Sequence, residues 1–206
     1  MFRYREPAGG GKMTRVLPAF LLSASLLLAA LFAAAPVQAM QPGGPTNYII
    51  DNETVQAART GDNEKLRAAL VKGVSPNESG RDGIPMLILA VGNGHLSTVK
   101  MLLENGADPD RRAPDGTTPL SLAALAGRTK IAEALLEAGA NPNRPGANRE
   151  VPLLIATRAR HSAIVEVLIR HDVDIYDTDV TGRTALDLAE ENHFGEIAAL
   201  LRGAGA

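Results

Sequence analysis

The apolar positions of this chain recur at a fixed interval. Leu87, Leu120, Leu153 and Leu186 stand 33 positions apart, and so do Ala57, Ala90, Ala123, Ala156 and Ala189. Two glycine series keep the same phase: Gly61, Gly94 and Gly127, then Gly73, Gly106, Gly139 and Gly205, with Asp172 at the missing place. Four columns that agree in one period are the mark of a repeat array. In the third stretch, Thr118-Pro119-Leu120 predicts the start of a first helix, because Thr caps exposed N–H groups and Pro has no N–H to lose at the first helical position. Leu120, Leu122 and Ala123 face inward there, and the small Ala lets the neighbouring helix approach. Gly127 is expected to close that helix in the left-handed conformation. A second helix is predicted from about Thr129, with Ile131, Leu135 and Leu136 on one face. Gly139 ends it, and Ala140-Asn141-Pro142-Asn143 turns into the next stretch.

One such unit cannot bury its own apolar stripe. Its Leu and Ala faces leave water only when a neighbour stacks on them, and each Leu so buried contributes about 1.5–3 kcal/mol. The period, together with the segments Asp115–Asn143 (DGTTPLSLAALAGRTKIAEALLEAGANPN) and Gly92–Asp110 (GNGHLSTVKMLLENGADPD), resembles the ankyrin repeat. The resemblance runs from about residue 47 to 206. It implies an all-α solenoid of about five helix-turn-helix units joined by short β-turns or hairpins, at about 51–77, 78–110, 111–143, 144–176 and 177–206.

The chain departs from the family pattern at several points. Ile88, Ser121, Leu154 and Asp187 replace the His of the T-P-L-H core, and Pro85 stands where Thr is usual. The fourth unit has Arg149 for its turn Gly and Asp172 for its late Gly, so its caps are expected to be the weakest of the array. The first unit, Thr54 to Asn77, lacks the Thr-Pro-Leu opening and carries charges where a neighbour would dock, as an N-terminal cap does. The fifth closes with Ala198, Ala199, Leu200 and Leu201, which reads as an apolar edge or contact surface.

Residues 1–39 have another character. Arg3, Arg5, Lys12 and Arg15 precede an apolar run from Val16 to Ala35, followed by Pro36 and the small-residue exit Val37-Gln38-Ala39. This three-part layout predicts a signal peptide cleaved after Ala39, with Met13 as an alternative start and a retained membrane anchor as the competing reading. Export to the periplasm or the medium is the expectation, with residues 40–50 as a flexible leader and no membrane contact after cleavage.

Charge and composition narrow the functions. Residues 1–39 hold four of the 21 basic and one of the 23 acidic residues, which leaves 17 against 22, a net charge of about −5. A mildly acidic surface argues against nucleic acid. The absence of Cys excludes thiolate metal sites, a Cys nucleophile and a lipoprotein anchor. His95 and His161 share a column two units apart, about 20 Å by packed-helix spacing, so they cannot share a metal, and a local helix-start contact is the expected role. His171 and His193 have no acidic partner at ligand spacing. Gly92-Asn93-Gly94 is a helix end rather than a phosphate loop, and Asp172–Asp179 lacks the Gly and distal Glu of a calcium loop. Asn52-Glu53-Thr54 and Asn77-Glu78-Ser79 fit the N-glycosylation pattern, which matters only in a eukaryotic secretory route. No catalytic motif, metal site or cofactor is expected.

The resemblance implies binding on the concave side, which the turns and first helices line. The positions it leaves free are Arg81, Asp82 and Ile84, then Arg112, Pro114, Asp115 and Thr117, then Asn148, Arg149 and Glu150, then Val180, Thr181 and Arg183 from the turns. From the first helices come Arg59, Asn93, Leu125, Arg158 and Glu191. Arg112, Arg149, Arg158 and Arg183 suggest a basic stripe suited to an acidic partner, since Arg often anchors interfaces. The expected molecule is a monomeric, non-catalytic protein-binding module. The competing readings are an inhibitor, immunity or accessory protein for an exported enzyme or toxin, and a hydrolase with a strongly perturbed acid or base in a pocket.

Overall fold

A computed structural model describes residues 52–206. The expectations for residues 1–39 and 40–50 lie outside the described residues. Among those described, ten α-helices follow one another in five pairs: α1 (Glu53–Thr60) with α2 (Asn63–Val71), α3 (Met86–Asn93) with α4 (Leu96–Glu104), α5 (Pro119–Leu125) with α6 (Thr129–Glu137), α7 (Pro152–Arg158) with α8 (Ser162–Arg170), and α9 (Ala185–Glu191) with α10 (Gly195–Gly203). A short left-handed turn, Ala147–Arg149, precedes α7. None of the described helices is long and apolar enough to cross a membrane.

Helix starts follow the local sequence. Thr118 accepts from the Ser121 N–H while the Ser121 hydroxyl accepts from the Thr118 N–H, a reciprocal cap that Thr184 and Asp187 repeat on α9. Asn52 caps α1 through the Val55 N–H, whereas Pro85 and Val151 give α3 and α7 no side-chain cap. At the other end the residue between the paired helices is left-handed in every unit: Gly61, Gly94 and Gly127 at φ 76°, 77° and 68°, then Arg160 and His193 at 58° and 59°. Asp172 (φ 54°) likewise adopts the left-handed form of Gly73, Gly106, Gly139 and Gly205.

Every substantial helix contact is one of three kinds: between the two helices of a pair, between successive first helices, or between successive second helices. The seam between first helices is made by the alanine column, from Ala57 at 2 % exposure to Ala189 at 0 %, flanked by buried Leu87, Leu120 and Leu153. Leu186 holds the equivalent place but is only partly buried, because among the described residues no sixth unit stacks on it. The second helices are joined through Leu102, Leu135, Leu168 and Leu201, all fully buried. Small residues set the spacing, and leucines fill the slots between layers.

Polar ties run along the same axis. The Asn77 side chain accepts from the Asp108 N–H and donates to the Gly106 carbonyl. Asp110 accepts from the Asn141 N–H, Asn143 from the Asp174 N–H, and the Tyr176 hydroxyl donates to the Gly205 carbonyl. Each of the first four units therefore hands one side chain to the backbone of the next. His95 and His161 act in the reverse direction. They begin α4 and α8 without capping them, and each Nε2 donates to a free end carbonyl of the preceding first helix, Arg59 at 3.1 Å and Leu125 at 3.3 Å. The expected local contact is thus a tie between units. The ring lies over Gly61 or Gly127 so closely that a Cβ there would stand 2.8 Å from it.

The two ends differ from the sequence-based picture in one respect. In α2 only Leu66 is buried, and Glu64, Lys65 and Arg67 are exposed, as a polar end requires. The apolar edge expected of Ala198–Leu201 is mostly covered: Ala198 and Leu201 are buried, Leu200 is partly so, and Ala199 alone is exposed. Those residues serve the unit's own core.

Candidate functional site

The turns before α3, α5, α7 and α9 share a backbone bond, from the N–H of Gly80, Ala113, Gly146 and Asp179 to the carbonyl of Ile84, Thr117, Glu150 and Arg183, each at 2.9 Å. Ser79 also bridges Pro85 across the second unit's turn. In the third unit, the Asp115 carboxylate accepts from both the N–H and the hydroxyl of Thr117, which lowers its pKa. The fourth turn is built differently. Asn148 and Arg149 both have positive φ, and the Glu150 N–H closes on the Ala147 carbonyl, the pattern of a type I′ turn. Gly146 is required there, since any Cβ on it would overlap the Ser121 side chain.

Ion pairs fix the turns against the C-terminal ends of the first helices. Arg59 reaches Asp82 at 3.7 Å. In the fourth and fifth units the pairing becomes a chain: Arg158 Nε lies 2.7 Å from Glu150, Arg158 Nη2 2.6 Å from Asp179, and Arg183 contacts Asp179 at 2.9 Å and Glu191 at 3.0 Å. Asp179 is its centre. One carboxylate oxygen accepts from the Thr181 hydroxyl and the N–H groups of Thr181 and Arg183, the other from both guanidinium groups, and the side chain is only 3 % exposed. The Thr181 hydroxyl, the backbone donors and Arg183 hold this carboxyl well below the usual range, and Asp179 with Glu191 keeps Arg183 more firmly protonated. Beside the chain, Asn148, Arg149, Glu150, Arg158, Thr178, Asp179 and Val180 enclose a cavity of about 440 Å³.

This arrangement places paired charges beside exposed apolar surface. Among the described residues no three His, Asp or Glu side chains are grouped to hold a metal. The acid with a raised pKa, Asp177, is shifted by burial and by Asp174, and it does not line the cavity.

Residues 54–146 match the family described as ankyrin repeats (3 copies), and residues 135–189 match that described as ankyrin repeats (many copies). The chain belongs to the ankyrin repeat family. No curated protein gives a match. Ankyrin repeats are protein–protein interaction modules and are typically non-catalytic, which agrees with a turn face built from donors, acceptors and exposed side chains.

Within the ankyrin array the expected contact residues separate into two sets. Arg59, Glu150, Arg158, Arg183 and Glu191 are held in the ion pairs, Asp115 and Thr117 bond each other, and Asn93 donates to the Leu89 carbonyl at the end of its own helix. Ile84 packs against the core. Arg81 is exposed at the second turn, and Leu125 is 61 % exposed at the end of α5. Arg112 and Arg149 are exposed and make no side-chain hydrogen bond or ion pair among the described residues. The basic stripe is therefore broken: Arg158 and Arg183 are neutralised by acids, and Arg112 and Arg149 remain available. Sequence reasoning passed over Asp179 as the organiser. An acid in the column otherwise held by Gly80, Ala113 and Gly146 was the signal that it does more than turn the chain.

Proposed function

We propose that this ankyrin-repeat chain is an exported, non-catalytic binding module, periplasmic or secreted, that holds a partner protein on the turn face of units three to five. One observation carries the choice of face. Of the large apolar side chains exposed among the described residues, Leu125 and Val180 stand on it, at 61 % and 95 % exposure, with the free guanidinium groups of Arg112 and Arg149. Arg and apolar side chains without intramolecular partners are what a protein interface uses as anchors. Charges already satisfied inside the molecule offer a partner little.

The test is affinity capture from the exported fraction with the wild type and with Arg112→Glu/Arg149→Glu/Val180→Asp. Arg183 is left intact because it holds the fifth turn. The triple variant is expected to keep its melting temperature and lose the captured protein, whereas Val71→Asp, on α2, keeps it. Equal capture by the triple variant removes this face from consideration. Fractionation of cells carrying the chain with and without residues 1–39 tests export separately.

A further inference from the structure

Resting on that reading, we infer that the cavity between the fourth and fifth turns takes an extended segment of the partner in which a carboxylate side chain stands a few residues from an aliphatic one, the carboxylate on Arg149 and the aliphatic group on Val180. Every acid lining the cavity already lies against a guanidinium group. Glu150 pairs with Arg158, and Asp179 is shared between Arg158 and Arg183. A cation entering here must compete with guanidinium groups that are already in contact distance. An anion meets Arg149, whose five N–H donors are unused by the rest of the described residues.

The apolar half of the segment follows from Val180. It is 95 % exposed at the rim, where its side chain gains nothing from its own unit. The two anchors belong to consecutive units. Packed helices lie about 8–10 Å apart, and an extended chain advances about 3.3 Å per residue, so about two to three residues of partner backbone span them. The volume of about 440 Å³ admits side chains of that size. Asp179 and the Thr181 hydroxyl pin the turn that carries Val180, so this rim is set before the partner arrives.

The experiment is selection of random displayed peptides of about a dozen residues on the purified array, residues 40–206, with wild type, Arg149→Glu, Arg149→Lys, Val180→Asp, Leu125→Asp and Val71→Asp as separate targets. The wild type is expected to enrich Asp or Glu within a few positions of Leu, Ile or Val. Enriched peptides should weaken about tenfold or more on Arg149→Glu and on Val180→Asp, and much less on Arg149→Lys, which keeps the charge. Unfolding curves for all variants confirm that they fold. Three outcomes overturn the inference: enrichment of Lys or Arg, no shared pattern, or binding indifferent to Arg149→Glu and Val180→Asp. If such indifferent peptides are lost on Leu125→Asp, the turn face stands and only this occupant is wrong. If they are lost instead on Val71→Asp, the turn face falls as well.

Discussion

Units three and four have the same helices in the same slots, and they differ in how their ends are made. Unit three has Gly116, Gly127 and Gly139 at its left-handed positions, a reciprocal cap at Thr118 and Ser121, and Ala124 in the first-helix seam. Unit four has Arg149, Arg160 and Asp172 at the corresponding places, no side-chain cap at Val151, and Thr157 in the seam with a buried hydroxyl that finds no partner. Each departure costs free energy: a left-handed residue with a side chain about 1–2 kcal/mol, an unsatisfied hydroxyl about 1–3. The sum is tolerated because Leu153, Leu154, Ile164 and Leu168 are buried against neighbours on both sides. Departures from local rules concentrate at functional sites, and unit four is also where the turn-face cavity opens.

The largest test of this contrast gives unit three the residue that unit four tolerates. Gly127→Arg puts a side chain at φ 68° with its Cβ 2.8 Å from the His161 ring. The expected loss is about 2–3 kcal/mol, a melting-temperature fall of some 4–12 °C. The reverse change, Arg160→Gly, is expected to be near neutral, since relief of strain at φ 58° is offset by loss of the Arg160 guanidinium from above the Phe194 ring, 4.8 Å from its centroid. If the two substitutions prove equal and opposite, the ring contact is worth nothing.

A second test uses acid. Asp179 has a folded pKa below its unfolded value, so its contribution is complete above about pH 4 and is lost as the pH falls through the folded value. Asp187, held down by the Thr184 N–H and hydroxyl, acts with the same sign. Denaturant unfolding of Asp179→Asn is expected to show a clear deficit at pH 7 that shrinks towards pH 2. A deficit constant with pH would assign the role of Asp179 to shape alone.

Smaller gains should come from repairing unit four. Arg149→Gly and Asp172→Gly, read by thermal unfolding, should each stabilise by about 1 kcal/mol, and the first should also weaken partner binding. Thr157→Val is expected to add about 1 kcal/mol, because Val91 already sits fully buried in the same column. Native-state hydrogen exchange checks the set: α7 and α8 should exchange before α5 and α6 in the wild type, and the repaired chain should bring them level.

Most of the fold was legible because identical slots need similar residues. The Leu and Ala columns give the period, and Thr118, Pro119 and Gly127 mark helix ends by their own chemistry. Arg160 and His193 escaped because a left-handed backbone is forced on them by the repeat, and nothing in either side chain announces it. The period alone, carried forward from Gly127, would have reached both. The roles of His95 and His161 depend on a carbonyl 36 positions earlier, which no local pattern displays. The arginine stripe misled for a similar reason. Whether a charge is free depends on whether an acid lies across the turn, and Glu150 and Asp179 meet Arg158 only after folding.

Because no described helix makes a substantial contact beyond the adjoining unit, the array of residues 52–206 has no closure to satisfy. An inserted block of one period presents the same two docking faces that it receives. Duplication or deletion of a whole block between existing ones alters length and reach while leaving every remaining seam intact, so this architecture can be edited in evolution as a sentence is, by the clause.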